Sequence, residues 1–106
     1  LSRAEAPNGR TSPEELIAAA HSGCYSMALS FGLAQGGHPP TSITTSADVS
    51  FELPAGITGI RLSVHAVVPG ITAAEFAAAA EDAKQNCPVS KALAGTTIEL
   101  TATLDQ

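Results

Sequence analysis

The feature that most constrains this chain is a helix-start signal followed by a long apolar periodicity that runs unbroken to a cluster of helix breakers. In Ser12-Pro13-Glu14-Glu15, Ser12 is placed to accept from the first unpaired amides, Pro13 suits the first helical position, and Glu15 follows Ser12 by three residues. Behind it Ile17, Ala20, Cys24, Met27, Ala28 and Phe31 recur at spacings of three and four, and Gly36-Gly37 and Pro39-Pro40 close the run. The pattern predicts a helix from Pro13 to about Gln35, with that stripe buried and Cys24 on or beside it.

The remainder alternates between strand and helix signals. Thr41 to Leu53 is rich in Thr, Val and Ile, and Gly59 to Val68 alternates apolar and polar residues, with Pro54-Ala55-Gly56 between them as the turn of a hairpin. After Pro69-Gly70, Thr72 and Glu75 open a second helix whose Phe76, Ala79, Ala80 and Ala83 share a face and which ends near Asn86. Cys87-Pro88 restarts the chain in a short helical turn through Ala92, Gly95 stops it, and Thr96 to Leu104 reads as a final strand. Helix, hairpin, helix, short helix and strand make an α+β domain. With 106 residues, 44 % hydrophobic and 14 % charged, one folded domain is expected, with residues 1–12 as an N-terminal loop and 13–106 as the core.

Composition excludes some partners. A net charge of −5 with five Lys and Arg residues cannot build the basic face that nucleic acid requires. The longest purely apolar windows, such as Phe76 to Ala80, fall short of the roughly 20 residues that span a bilayer, so no membrane association is expected. Leu1 to Arg10 lack the basic-then-apolar layout of a signal peptide, and a cytoplasmic location is expected. A zinc site would need Cys24, Cys87 and two histidines to converge from scattered positions, so neither metal nor cofactor is expected.

Two cysteines in a cytosolic chain point to redox chemistry or to nothing. Thiol chemistry needs a thiolate, and the two sites differ in what would stabilise one. Cys87 stands at a helix cap, where the helix terminus favours negative charge, whereas Cys24 is mid-helix and requires a side-chain partner such as an arginine. Local reasoning therefore ranks Cys87 as the more reactive thiol and Cys24 as a core residue. Glu14 and Glu15 complement the helix dipole in its first turn, and one of them is available to orient a cation. His21, three residues before Cys24 on one helix, is a candidate base for that thiol, although no third orienting group is evident. His38 in a loop and His65 on the polar side of its strand are expected to be solvated.

Two segments carry a resemblance. Thr11 to Leu29, with Ser12-Pro13-Glu14-Glu15-Leu16-Ile17 leading to His21-Ser22-Gly23-Cys24-Tyr25-Ser26-Met27, closely resembles the first cysteine motif of the OsmC/Ohr family, and Asn86-Cys87-Pro88-Val89-Ser90-Lys91-Ala92-Leu93 resembles the second. Pro40-Thr41-Ser42-Ile43 and Val67-Val68-Pro69-Gly70-Ile71 look like the OsmC branch, in the same order. The resemblance implies an OsmC-like fold, with two central helices packed with antiparallel sheet in an intertwined homodimer whose active sites lie at the subunit interface. It also implies an N-terminal group of strands that residues 1–12 do not supply.

The activity so implied is a thiol-dependent peroxidase for organic hydroperoxides, acting less efficiently on hydrogen peroxide, in oxidative stress defence. A thiolate at Cys24 attacks the distal peroxide oxygen and becomes a sulfenic acid, Cys87 resolves it to a disulfide, and an external thiol or dithiol such as a lipoyl group restores both thiols. An Arg–Glu pair beside the reactive cysteine is implied as well, with Glu14 matching the glutamate and Arg3 the arginine; Arg10 is the poorer match. This reverses the local ranking of the two thiols. Two other readings stay open at this stage: a non-catalytic redox sensor or binding protein with the same fold, and a structural protein in which both cysteines are inert.

Overall fold

A computed structural model describes residues 12–105. Arg3 and Arg10, and the expected N-terminal loop apart from Ser12, lie outside the described residues. In chain order the elements are α1 (Pro13–Gln35), β1 (Ser42–Glu52), β2 (Gly56–Val67), α2 (Ala73–Asn86), α3 (Pro88–Ala92) and β3 (Ile98–Leu104).

The boundaries follow local chemistry. Ser12 caps α1 by accepting from the Glu15 amide at 3.2 Å, and Pro13 begins the helix. At the other end the His38 amide donates to the Leu33 carbonyl (2.8 Å) and the Gly37 amide to that of Ala34 (3.0 Å). That closure needs a left-handed residue, and Gly37 supplies it at φ +87° without the steric penalty of a Cβ. At the start of α2, Thr72 and Glu75 form a reciprocal capping box. Cys87 precedes Pro88, whose ring disfavours helical backbone at the residue before it; Cys87 adopts φ −59°, ψ 123°, and α2 ends while α3 begins.

The sheet has the order β1-β2-β3. β1 and β2 form the expected antiparallel hairpin, with a register shift between Ser50 and Phe51. β3, however, runs parallel to β2, so the sheet is mixed rather than antiparallel throughout. The reason is connectivity: the chain leaves β2 through α2 and α3 and returns in a crossover, which brings the next strand back in the same direction.

Register aligns one apolar face across all three strands. Ala47 is opposite Leu62 and Leu62 opposite Leu100; Val49, Ile60 and Ile98 form the next row. The other face carries Asp48, Arg61 and Glu99 in one row, with Arg61 Nε 3.5 Å from Glu99 Oε1. On the apolar face lies the core, in which Leu62, Val64 and Ala66 of β2 join Tyr25, Leu29 and Leu33 of α1, Phe76 and Ala83 of α2, and Cys87. Each large side chain there contributes about 1.5–3 kcal/mol by leaving water.

The buried face of α1 differs from the expected stripe. His21, Tyr25, Leu29 and Leu33, spaced by four, point inward, with Cys24 and Ala28 beside them, whereas Met27 and Phe31 are 75 % and 66 % exposed. Helical periodicity marks where apolar residues cluster around an axis, and α1 is apolar on two sides, so spacing alone selected the wrong one. By length and composition α1 is also apolar enough to cross a bilayer, because its scattered polar residues are small or uncharged even though no long purely apolar window occurs in it. In the fold its inner face is covered by β1, α2 and α3.

Candidate thiol site

The two cysteines, 63 positions apart in sequence, meet where α1 passes the α2–α3 junction, with their Sγ atoms 3.1 Å apart and within S–H···S hydrogen-bond distance. The backbone at the junction fixes Cys87 from both sides: its amide donates to the Ala83 carbonyl of α2 at 2.9 Å, and its carbonyl accepts from the Lys91 amide of α3 at 3.0 Å. Cys87 is fully buried, while Cys24 is partly exposed. Tyr25, next to Cys24 and also buried, donates its hydroxyl to the Ala80 carbonyl at 2.9 Å, tying α1 to α2 beside the sulfurs. Burial, followed by the nearby charges of Glu81 and Cys87, pushes the phenol well above its usual range, so Tyr25 is a neutral donor.

The surroundings shift the two thiols in opposite directions. Burial pushes the Cys24 thiol up, and its hydrogen bond with Cys87 and the charge of that residue push it further, against a smaller opposing pull from the Val89 amide. Burial acts on Cys87 in the same sense but is outweighed: hydrogen bonding from Cys24, from the amide and hydroxyl of Ser90, and from the Val89 amide brings its thiol below the ordinary value. Of the two thiols, Cys87 is thus the one shifted toward ionisation, with the contact to Cys24 the first of the favourable causes, and the more exposed sulfur is shifted the other way.

His21 is not a base against Cys24. Its ring is fully buried, and Nε2 lies 2.7 Å from Oγ of Ser90 on α3. Burial lowers its pKa, which keeps the ring neutral. Sequence reasoning passed over Ser90, although Ser90 stands in the second cysteine motif three residues after Cys87; proximity to His21 across 69 positions has no local signal. Glu14 is buried in the first turn of α1, ten residues before Cys24, so the helical rise puts about 15 Å between them along the axis. One chain therefore does not bring Glu14 to its own Cys24. Arg3 lies outside the described residues. His65 is exposed beside Asp105 at 3.2 Å, and His38 is 3.9 Å from Glu75. Among the described residues no three His, Cys, Asp or Glu side chains converge as a metal site.

A protein-family model described as OsmC-like protein matches residues 6–101. The chain is 52 % identical over 86 residues to peroxiredoxin OsmC of Escherichia coli (strain K12), an alignment covering 78 % of this chain and 60 % of that protein, and the match to the same-named protein of Shigella flexneri has the same figures. This chain thus spans 60 % of the length of those curated relatives. Among solved structures, an organic hydroperoxide resistance protein from Elizabethkingia anophelis superposes with a TM-score of 0.69 at 31 % identity, covering 95 % of this chain and 72 % of that one. An OsmC-like protein from Mycoplasma pneumoniae shares the fold at a TM-score of 0.83 and 15 % identity, with 93 % and 75 % covered.

Proposed function

The chain belongs to the OsmC-like protein family, and from that premise we propose that it is a cysteine-based peroxidase reducing organic hydroperoxides, with Cys24 as the attacking thiol and Cys87 as the resolving one. The observation that carries this reading is the 3.1 Å approach of a partly exposed sulfur to a fully buried one. A peroxide reaching Cys24 from outside meets a nucleophile, and the oxidised sulfur then finds a second thiol already beside it. The names of the relatives, a peroxiredoxin and an organic hydroperoxide resistance protein, support the same chemistry.

In the first step the Cys24 thiolate attacks the distal oxygen of the hydroperoxide, the O–O bond breaks, and the departing alkoxide takes a proton to leave as an alcohol. Cys24 becomes a sulfenic acid. Cys87 then attacks the Cys24 sulfur and water departs as the disulfide forms; an external dithiol returns both residues to thiols by exchange. No bound cofactor is required. Since its surroundings in one chain raise the Cys24 pKa, the first step needs a cation, which Arg3 supplies in this reading with Glu14 to orient it.

The distance from Glu14 to Cys24 along α1 supports placing these groups across a subunit boundary, so that in a homodimer a second copy completes each site. The exposed Met27 and Phe31 give α1 the second apolar face such an assembly would cover. A single domain acting in the cytoplasm as a dimer is the form proposed.

Steady-state reduction of cumene hydroperoxide with a dithiol donor tests the roles. Cys24→Ser abolishes turnover, while Cys87→Ser retains a single-turnover burst. The reverse pattern would make Cys87 the attacking thiol, as its lower pKa favours. Stoichiometric oxidation without repeated turnover would identify a redox sensor, and equal efficiency with hydrogen peroxide would remove the organic preference.

A further inference from the structure

Cys24 and Cys87 enter the steps above as a pair, but the fold gives them unequal access to anything outside the chain. Cys87 is fully buried and belongs to the core with Tyr25, Leu29, Phe76 and Ala83, whereas Cys24 is packed against that core and partly exposed. The Cys87 amide is bonded to the Ala83 carbonyl and its carbonyl to the Lys91 amide, so its backbone is fixed to α2 and α3. The Tyr25 hydroxyl, 2.9 Å from the Ala80 carbonyl, holds α1 against α2 beside it. Joining two sulfurs that already stand 3.1 Å apart takes only a small closing movement, so the disulfide inherits the contrast between a buried sulfur and an accessible one.

We propose that the reducing dithiol attacks the Cys24 sulfur of this disulfide and not the Cys87 sulfur, so that reduction passes through a mixed disulfide on Cys24 and Cys87 never bonds to an external group. This deepens the peroxidase reading and rests on it for the oxidation that comes before. Exchange rates depend on which sulfur is attacked and on access to it. With Cys87 as the target the entering thiolate has no open side; with Cys24 it has the exposed one. In the first step one thiolate of the donor bonds to the Cys24 sulfur, the Cys24–Cys87 bond breaks, and Cys87 leaves as a thiolate that takes up a proton. The donor's second thiolate then attacks its own first sulfur, the bond to Cys24 breaks, and Cys24 leaves as a thiolate. The donor is oxidised to its disulfide and the protein disulfide reduced by the same two electrons.

Acidity and access oppose each other in the free thiols but agree in the disulfide. As a thiol, Cys87 is the one shifted toward ionisation. Within the disulfide the more acidic sulfur is the better leaving group, and attack at Cys24 is what expels it. One exposed sulfur therefore receives the peroxide and the reductant in turn.

The test uses the unsubstituted chain and begins from the disulfide made with diamide, a thiol oxidant that needs no peroxidase activity. Mercaptoethanol is added as the probe thiol, and exchange is stopped with acid at successive short times. Peptic digestion at acid pH and mass spectrometry then locate the mercaptoethanol on the Cys24 or the Cys87 peptide. The adduct is expected on Cys24, in about tenfold or greater excess over Cys87, because the buried sulfur is reached only by local opening. In denaturant, where both sulfurs are open, the two adducts should form in comparable amounts. An adduct first on Cys87, equal adducts in the folded chain, or no Cys24–Cys87 disulfide after diamide overturns the proposal. A Cys87 adduct in a chain that turns over cumene hydroperoxide does so while leaving the peroxidase reading intact. A Cys24 adduct in a chain whose disulfide forms with diamide but not with cumene hydroperoxide sustains the order of exchange and rejects the peroxidase reading.

Discussion

Cys24 Sγ and Cys87 Sγ stand 3.1 Å apart, and this contact lowers the acidity of the first while raising that of the second. The asymmetry arises because the Ser90 amide and hydroxyl act only on Cys87: between neutral thiols Cys87 donates to Cys24, and once Cys87 is ionised the Cys24 thiol becomes the donor to it. Removing the donor therefore has a directional effect. Cys24→Ala raises the midpoint of Cys87 ionisation, and Cys24→Ser, which keeps an O–H donor, raises it less. Thiolate absorbance across a pH series checks both, and a midpoint that falls in Cys24→Ala would contradict the assignment of donor and acceptor.

His21 makes stability depend on pH. Its pKa in the fold is depressed from 6.5 by burial, so on unfolding below about that pH the ring takes up a proton that the native state refuses. The unfolded chain then binds more protons, and stability rises with pH through this window: the contribution is present above 6.5 and is lost as pH falls toward the folded value. Denaturant unfolding at a series of pH values should show a slope approaching about 1.4 kcal/mol per pH unit from this residue, and His21→Leu should remove it.

Core and tie substitutions should differ in size. Leu62→Ala leaves a cavity at the centre of the sheet face, where the side chain is fully buried, and is expected to cost about 2–5 kcal/mol. Tyr25→Phe deletes only the hydroxyl that donates to the Ala80 carbonyl, at a cost of about 0.5–1.5 kcal/mol. Equilibrium unfolding at one protein concentration compares them, and a larger loss for Tyr25→Phe would show that the tie between α1 and α2 outweighs packing.

Phe31 is 66 % exposed, so Phe31→Glu leaves the interior of one subunit intact. If α1 seats against a second copy, as proposed, a charge there is buried unpaired and the assembly dissociates. Sedimentation velocity should show a dimer for the unsubstituted chain and a monomer for the variant, with circular dichroism unchanged. A monomer in both would remove the subunit boundary as the place where Glu14 meets Cys24.

Local chemistry was sufficient for much of this fold. The caps at Ser12 and Thr72, the turn after Leu53, and the Cys87-Pro88 junction each depend on residues within a few positions of one another, so the elements and most boundaries were legible. The hairpin followed for the same reason. β3 was legible as a strand but not as a parallel one, because its direction depends on a crossover through α2 and α3 rather than on its own alternation.

The sequence by itself determined which segments are helix and strand, the two cysteine motifs and hence the family, and the opposing local preferences of the two thiols, since all of these lie in short-range patterns. Only the tertiary structure decided which side of α1 is buried, because that helix is apolar on two sides and the choice belongs to the sheet and helices packed against it. It also decided that His21 meets Ser90 rather than Cys24, that one chain keeps Glu14 far from its own Cys24, and that the two sulfurs touch. Those relations join residues distant in the chain, and they exist only once the core has brought α1 against the α2–α3 junction.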